Sequence, residues 1–245
     1  NRDKTPLLLT MDFSYKLTLE NTSYLWGVLL LVPLWLYSFI KNKGSRIEMI
    51  ATGTLFGLAS IAIEYFYSSI DYWDPPFIFN NVIHIEDFLY GFIVGGLSSE
   101  IFEIVFGQKY IQTKKKGMYI LGPIFTIITF LCFVILVDLL GINSIWALII
   151  PPLIVGLITM ILRKEFIVPT IVSGILMMII TFLWQKSILL IYPTAIVDYW
   201  RLEKMSGCMI SGIPLEELLF GFSLGFGASS FYELILGHEK VKKKK

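Results

Sequence analysis

Ser211-Gly-Ile-Pro-Leu-Glu-Glu-Leu-Leu-Phe-Gly-Phe-Ser-Leu-Gly-Phe-Gly-Ala-Ser-Ser-Phe-Tyr-Glu233 is apolar enough to enter a bilayer, yet it carries adjacent carboxylates, Glu216 and Glu217, near its start. An acidic side chain at the centre of a lipid-facing helix costs about 2.5–3.5 kcal/mol. A pair kept here is either held in headgroup water or used. Pro214 suits a helix's first turn, where its missing N–H would have no partner. Acids just after it complement the positive end of the helix dipole. Surface acids of a first turn are therefore the plain alternative.

The chain repeats this pattern. Ile85-Glu86-Asp87-Phe88-Leu89-Tyr90-Gly91-Phe92 aligns with Leu215-Glu216-Glu217-Leu218-Leu219-Phe220-Gly221-Phe222. The match continues without a gap through Gly95 with Gly225, Ser99 with Ser229, Phe102-Glu103 with Tyr232-Glu233, and Gly107 with Gly237. Upstream, Asp71-Tyr72-Trp73 recurs as Asp198-Tyr199-Trp200. An internal duplication of this kind governs the rest of the reading.

Around it lies a chain of 245 residues, 56% hydrophobic and only 16% charged, with a mean hydropathy of +0.72. Soluble domains carry about 25% charged residues. Several apolar runs reach the ~20 residues needed to cross a hydrocarbon core. The predicted class is all-α and polytopic; the alternating ten-residue segments of a membrane barrel are absent. Expected spans are 24–40, 47–68, 84–107, 118–140, 145–162, 166–192 and 213–236. Pro151-Pro152 predicts a kink in the fifth. Glu64, near the far end of the second, reads as an interfacial acid.

Fourteen of the 20 Lys and Arg fall on the side of the C-terminus and of the loops after spans 1, 3 and 5. Basic loops stay cytoplasmic. The prediction is a cell-membrane protein of seven helices, N-terminus out and C-terminus in. Its lysine tail would contact anionic lipid. Residues 1–23 form an extracytoplasmic segment, 24–112 a three-helix repeat, 113–144 a linker helix, and 145–245 a second three-helix repeat with a basic tail. The linker span makes the two repeats parallel. Ligand sites favour such repeat interfaces, so both acidic pairs are expected at the outer end of one shared cavity.

The basic residues sit in short loops, so no nucleic-acid partner is expected. Cys132 lies in a span and Cys208 in a loop. His84 and His238 fall on opposite sides of the membrane. These positions predict no metal site, and no nucleotide-binding motif predicts a flavin or nicotinamide.

Trp73-Asp74, the acidic pair opening a span, Pro214-Leu215-Glu216-Glu217-Leu218-Leu219-Phe220, and Ser230-Phe231-Tyr232-Glu233 together resemble the integral-membrane lycopene cyclase domain family. The likeness extends over spans 1 to 7 and is to the fused form of the two-subunit, cofactor-free carotenoid cyclases. His84 stands where the family pattern has proline, Asp87 replaces the second Glu, and Trp200-Arg201 replaces Trp-Asp in repeat two.

The resemblance implies redox-neutral, acid-catalysed cyclisation of the end-groups of lycopene or a related linear carotene. The partners are a polyprenyl lipid substrate and membrane lipid, with no cofactor. An acid protonates the terminal double bond, an internal double bond captures the cation, and a base removes a proton. A carboxylic acid serves as donor where its surroundings favour the neutral form. Glu216, Glu217, Glu86 and Asp87 are the catalytic candidates. Neighbouring helix positions point about 100° apart, so one acid of each pair is expected to face the cavity, with Glu216 favoured. Trp73, Trp200, Tyr90 and Phe220 are candidates for stabilising the cation through their ring faces. Asp74 and His84 are grouped with them as substrate-contacting. Gly91, Gly95, Gly221 and Gly225, at four-residue spacing, predict close helix packing.

Two rivals carry different signatures. A seven-helix transporter of SWEET-like layout shares the three-one-three arrangement, but its proline-glutamine signature is missing. A non-catalytic carotenoid- or polyprenyl-binding membrane protein would fit the altered acidic pair of repeat one. Retinal attachment as in rhodopsins needs a lysine in span 7, and residues 213–236 contain none.

Overall fold

A computed structural model describes residues 19–78, 84–107, 110–112, 121–229 and 238–240. The chain is mostly helical. In hydrocarbon every backbone polar group must be satisfied within the protein, and helices do this inside each segment. The principal helices are α1 (Leu19–Lys41), α2 (Arg46–Ile63), α3 (Ile85–Phe106), α4 (Leu121–Val134), α5 (Ser144–Leu162), α6 (Ile167–Ile191) and α7 (Leu215–Ala228). Five helical stretches are long and apolar enough to cross a membrane: Thr22–Lys41, Lys43–Asp71, Ile85–Phe106, Ser144–Leu162 and Lys164–Ile191. The apolar part of the fourth expected span is shorter, Thr126–Leu139. Residues 230–236 of the seventh lie outside the described residues.

Local signals set the ends. Gly107, at φ 61°, closes α3 in the left-handed conformation that favours glycine. The Asn143 side chain caps α5 by accepting from the Ile145 amide at 3.0 Å. α5 runs on through Pro151 and Pro152 to Leu162. Pro214 caps α7 from just outside it rather than standing in its first turn. The second span also outlasts its expected end. After Ile63 the chain makes a π-helical turn, Glu64–Ser68, and a last helical turn, Ser69–Asp71.

α3 and α7 form the centre. α3 packs against α1, α2, α6 and α7, and α7 against α3, α5 and α6. The outer helices turn large apolar side chains outwards, among them Ile47, Leu58, Ile161 and Leu190. Lipid is the solvent that accepts such a surface. Two short antiparallel ribbons depart from the all-helical expectation. β1 (Tyr110–Gln112) pairs with β4 (His238–Lys240), and β2 (Met209–Ile210) pairs with β3 (Ile213–Pro214). The second ribbon turns through Ser211 and Gly212, both at positive φ, and leads directly into α7.

Glycines let the central helices approach. A Cβ built on Gly91 would lie 2.6 Å from the Phe56 carbonyl oxygen of α2, and one on Gly225 would strike the Ser173 backbone of α6. Overpacking of this kind costs roughly 1–3 kcal/mol or more. Gly91→Leu is therefore expected to lower the melting temperature of the detergent-extracted protein and its accumulation in membranes. A variant that melts with the parent would show the α2–α3 seam to be loose.

Candidate active site

The two recurring Asp-Tyr-Trp segments meet. The Asp74 amide donates to the Tyr199 carbonyl at 2.7 Å, and the Arg201 amide to the Tyr72 carbonyl at 2.9 Å. This antiparallel bridge sets Trp73 beside Trp200, with ring centroids 5.1 Å apart. The leading aspartates stay outside and hold the loops. Asp71 accepts from the Ser144 amide and hydroxyl at 2.8 and 2.6 Å. Asp198 accepts from Tyr192 and Thr194, and these bonds hold its carboxyl below the usual range. A further bond joins Ser23 on α1 to the Tyr199 hydroxyl.

Beneath the paired tryptophans lies a cavity of about 750 Å³, lined by α1, α2, α3, α4, α5, α6 and α7. Along α2 and the π-helical turn that continues it, the lining runs from Ala51 to Ser68, about 25 Å of helix at ~1.5 Å per residue. Most of the wall is apolar: Leu55, Phe56, Val94, Pro151, Val155 and Leu224 are typical. The carboxyl groups gather at the end beneath Trp73 and Trp200, where Glu64, Asp87 and Glu217 line the wall with Tyr24. The chamber is long and oily with one acidic end. That shape accepts an apolar chain whose tip is the reacting part.

Each acidic pair divides its work. Glu86 accepts from the Ile78 amide at 2.9 Å, and Glu216 from the Ser206 amide at 2.6 Å. Both therefore anchor the loop that precedes their helix, and neither lines the chamber. The second acid of each pair does. Asp87 Oδ1 accepts from the Tyr24 hydroxyl at 3.0 Å, and its Oδ2 lies 3.2 Å from His84 Nδ1. Glu217 Oε1 accepts from Trp200 Nε1 at 2.7 Å, and its Oε2 from Gln185 Nε2 at 2.8 Å. The expected preference for Glu216 on the cavity side is thus reversed. Helical rotation allows one acid of a pair to face inwards, and the loop amide claims the first.

Trp73, Trp200, Tyr90 and Phe220 all line the chamber. Asp74 and His84 do not. Asp74 is 59% exposed, its carboxylate 3.5 Å from Arg201, because the bridge to Tyr199 turns its side chain outwards. His84 stacks on Phe77 with centroids 3.4 Å apart and reaches the chamber only through Asp87.

Four lining or supporting residues escaped the sequence reading. Tyr24 holds Asp87; Trp184 stacks on Tyr90 at 4.8 Å and donates to the Gly27 carbonyl; Gln185 holds Glu217. The fourth, Glu64, is buried and accepts from Trp73 Nε1 at 2.7 Å; it is not the interfacial acid expected. The packing of the glycines relates its position to that of Gln185. A Cβ on Gly53 would meet Phe92, and one on Gly174 would meet Phe222, and these two phenylalanines are partners in the alignment of the two acidic stretches. Eleven residues on from these glycines stand Glu64 and Gln185.

Fold and site together define a helical membrane protein with an acid-ended apolar chamber. Residues 143–235 match the family model described as lycopene cyclase. The match takes in α5, α6, the Trp200 loop and α7, and so includes Gln185 and Glu217. No curated protein and no solved structure matches the chain. That match supports a carotenoid cyclase-like function.

Proposed function

We propose that the protein is a membrane carotenoid cyclase that closes the end-group ring of lycopene or a related linear carotene by proton transfer, with no change of redox state. The observation that carries this is the chamber itself: an apolar channel with its carboxyl groups confined to one aromatic-walled end. A polyprenyl chain would lie along the apolar length with its terminal double bonds at the acids. A carboxyl group there protonates the terminal double bond, and the internal double bond attacks the resulting cation to form the ring. Glu217, with both oxygens held by N–H donors, is the proton acceptor. Asp87 adds a second carboxyl group, oriented by Tyr24 and His84. The faces of Trp73, Trp200, Tyr90 and Phe220 stabilise the passing cation. An apolar wall excludes water, which would otherwise capture the cation. Glu86 and Glu216 act indirectly, as positioning residues that fix the loops over the chamber.

The same reading arranges the seven helices as two parallel three-helix repeats, 24–112 and 145–245, about a linker at 113–144. Support comes from the pairing of Trp73 with Trp200 and from α2 packing on α3 as α6 packs on α7. With the lysine-rich side cytoplasmic, the acidic end of the chamber lies towards the outer face of the cell membrane.

Expression in a bacterium that accumulates lycopene tests the activity. Pigment extracts are expected to shift from lycopene to a monocyclic or bicyclic product. Unchanged lycopene, with the protein verified in the membrane, would overturn the cyclase reading.

A further inference from the structure

We propose that Glu64 is the catalytic residue that delivers the proton to the substrate, an assignment that rests on the cyclase reading above. Among the described residues three carboxyl groups line the chamber: Glu64, Asp87 and Glu217. Two of them have both oxygens engaged, Asp87 by Tyr24 and His84, Glu217 by Trp200 and Gln185. Glu64 differs. Its Oε2 accepts from Trp73 Nε1, while its Oε1 is buried and has no hydrogen-bond partner among the described residues. The residue is only 4% exposed, so bulk water does not serve that oxygen. A proton donor must aim its O–H at the substrate and not into a neighbour. Of the three groups, Glu64 alone has a carboxyl oxygen not committed to a partner among the described residues.

The backbone supports the assignment. Glu64 opens the π-helical turn Glu64–Ser68, a geometry frequent at functional sites. The same turn leads to Trp73, which donates to Glu64 and stands within 5.1 Å of Trp200 and 4.9 Å of Tyr24. At the corresponding place in the second half stands Gln185, an amide that holds Glu217 and has no acidic proton to give. The chamber is therefore asymmetric, with its donor from the first half of the chain and its acceptor from the second.

The step balances. The Glu64 O–H bond breaks and a C–H bond forms at the terminal alkene. The internal π pair forms the ring C–C bond and moves the positive charge into the ring. A neighbouring C–H bond then breaks, its electrons become the ring double bond, and its proton goes to Glu217. Return of that proton to Glu64 restores the starting state, and no electron is gained or lost. One donor and one acceptor at one chamber end act on one end-group per binding event.

The test compares the parent, Glu64→Gln and Glu64→Asp in lycopene-accumulating cells, measuring both cyclic product per unit of membrane protein and lycopene co-purifying with the detergent-extracted protein. Glu64→Gln is expected to retain bound lycopene within about twofold while product falls at least ~100-fold, the scale of a lost acid–base group. Product near the parent level would overturn the assignment. So would parallel loss of bound lycopene, which marks a structural role. If Glu64→Gln fails to accumulate, Glu64→Asp decides, because it keeps the acid but withdraws it by one methylene. At least ~10-fold less product with lycopene still bound supports the donor role, and a full rate overturns it. A parent protein that converts no lycopene removes the cyclase reading, and the donor role with it.

Discussion

Glu217→Gln is expected to cut cyclic product at least ~100-fold while the protein still accumulates in the membrane. The substitution preserves shape and keeps a carbonyl oxygen that can accept from Trp200. It removes the carboxylate that receives the proton in the proposed mechanism. Its neighbour supplies the contrast. Glu216→Ala removes the acceptor of the exposed Ser206 amide from a part-buried hydrogen bond, at a net cost of about 0.5–1.5 kcal/mol, so its effect falls on thermal stability and on the order of the loop before α7. Two adjacent acids would then separate by what they change, one the rate per molecule and the other the number of folded molecules. Equal rate losses in molecules of equal stability would show that the division read from their hydrogen bonds is wrong.

That division was only half legible in the sequence. The run from Ser211 to Glu233 and its counterpart from Ile85 told that acids open two apolar helices. The ~100° step of a helix told that one of each pair turns inwards. Which one depends on the Ile78 and Ser206 amides, which belong to preceding loops whose path no periodicity describes. The five long apolar helices were readable from hydropathy because length and composition alone decide them. Glu64 was not. A lone acid near a span's end is ordinarily an interfacial residue, and only the close contact of α2 with α3 reveals that this one faces a chamber. Asp74 failed in the opposite direction. It directly follows the recurring Asp71-Tyr72-Trp73 segment, yet the bridge that brings Trp73 and Trp200 together turns its side chain to the surface. Tyr24 and Trp184 carry no local motif, and their roles arise from partners far away in sequence.

Trp200 separates hydrogen bonding from ring electrostatics, and its substitution is expected to have the next largest effect. Its indole N–H donates to Glu217 and lies 3.3 Å from the Tyr72 hydroxyl, while its ring lines the chamber. Trp200→Phe keeps an aromatic face and removes the donor. A hydrogen bond to a charged group contributes about 1.5–3 kcal/mol, so product per molecule should fall roughly 10- to 100-fold. Trp200→Leu removes the ring as well. The loss of a desolvated cation–π contact, about 0.5–2 kcal/mol, should lower the rate a further ~2- to 30-fold. The comparison is made on pigment formed per unit of membrane protein, with bound lycopene measured alongside. If Phe and Leu lose the same activity, the ring contributes only packing and the cation is stabilised by the carboxylates. If Phe retains full activity, the N–H does not tune Glu217, and the acceptor role must then rest on Gln185 and the chamber's shape. A graded loss, with Leu slower than Phe and Phe slower than the parent, is the outcome that the geometry of Trp200 predicts.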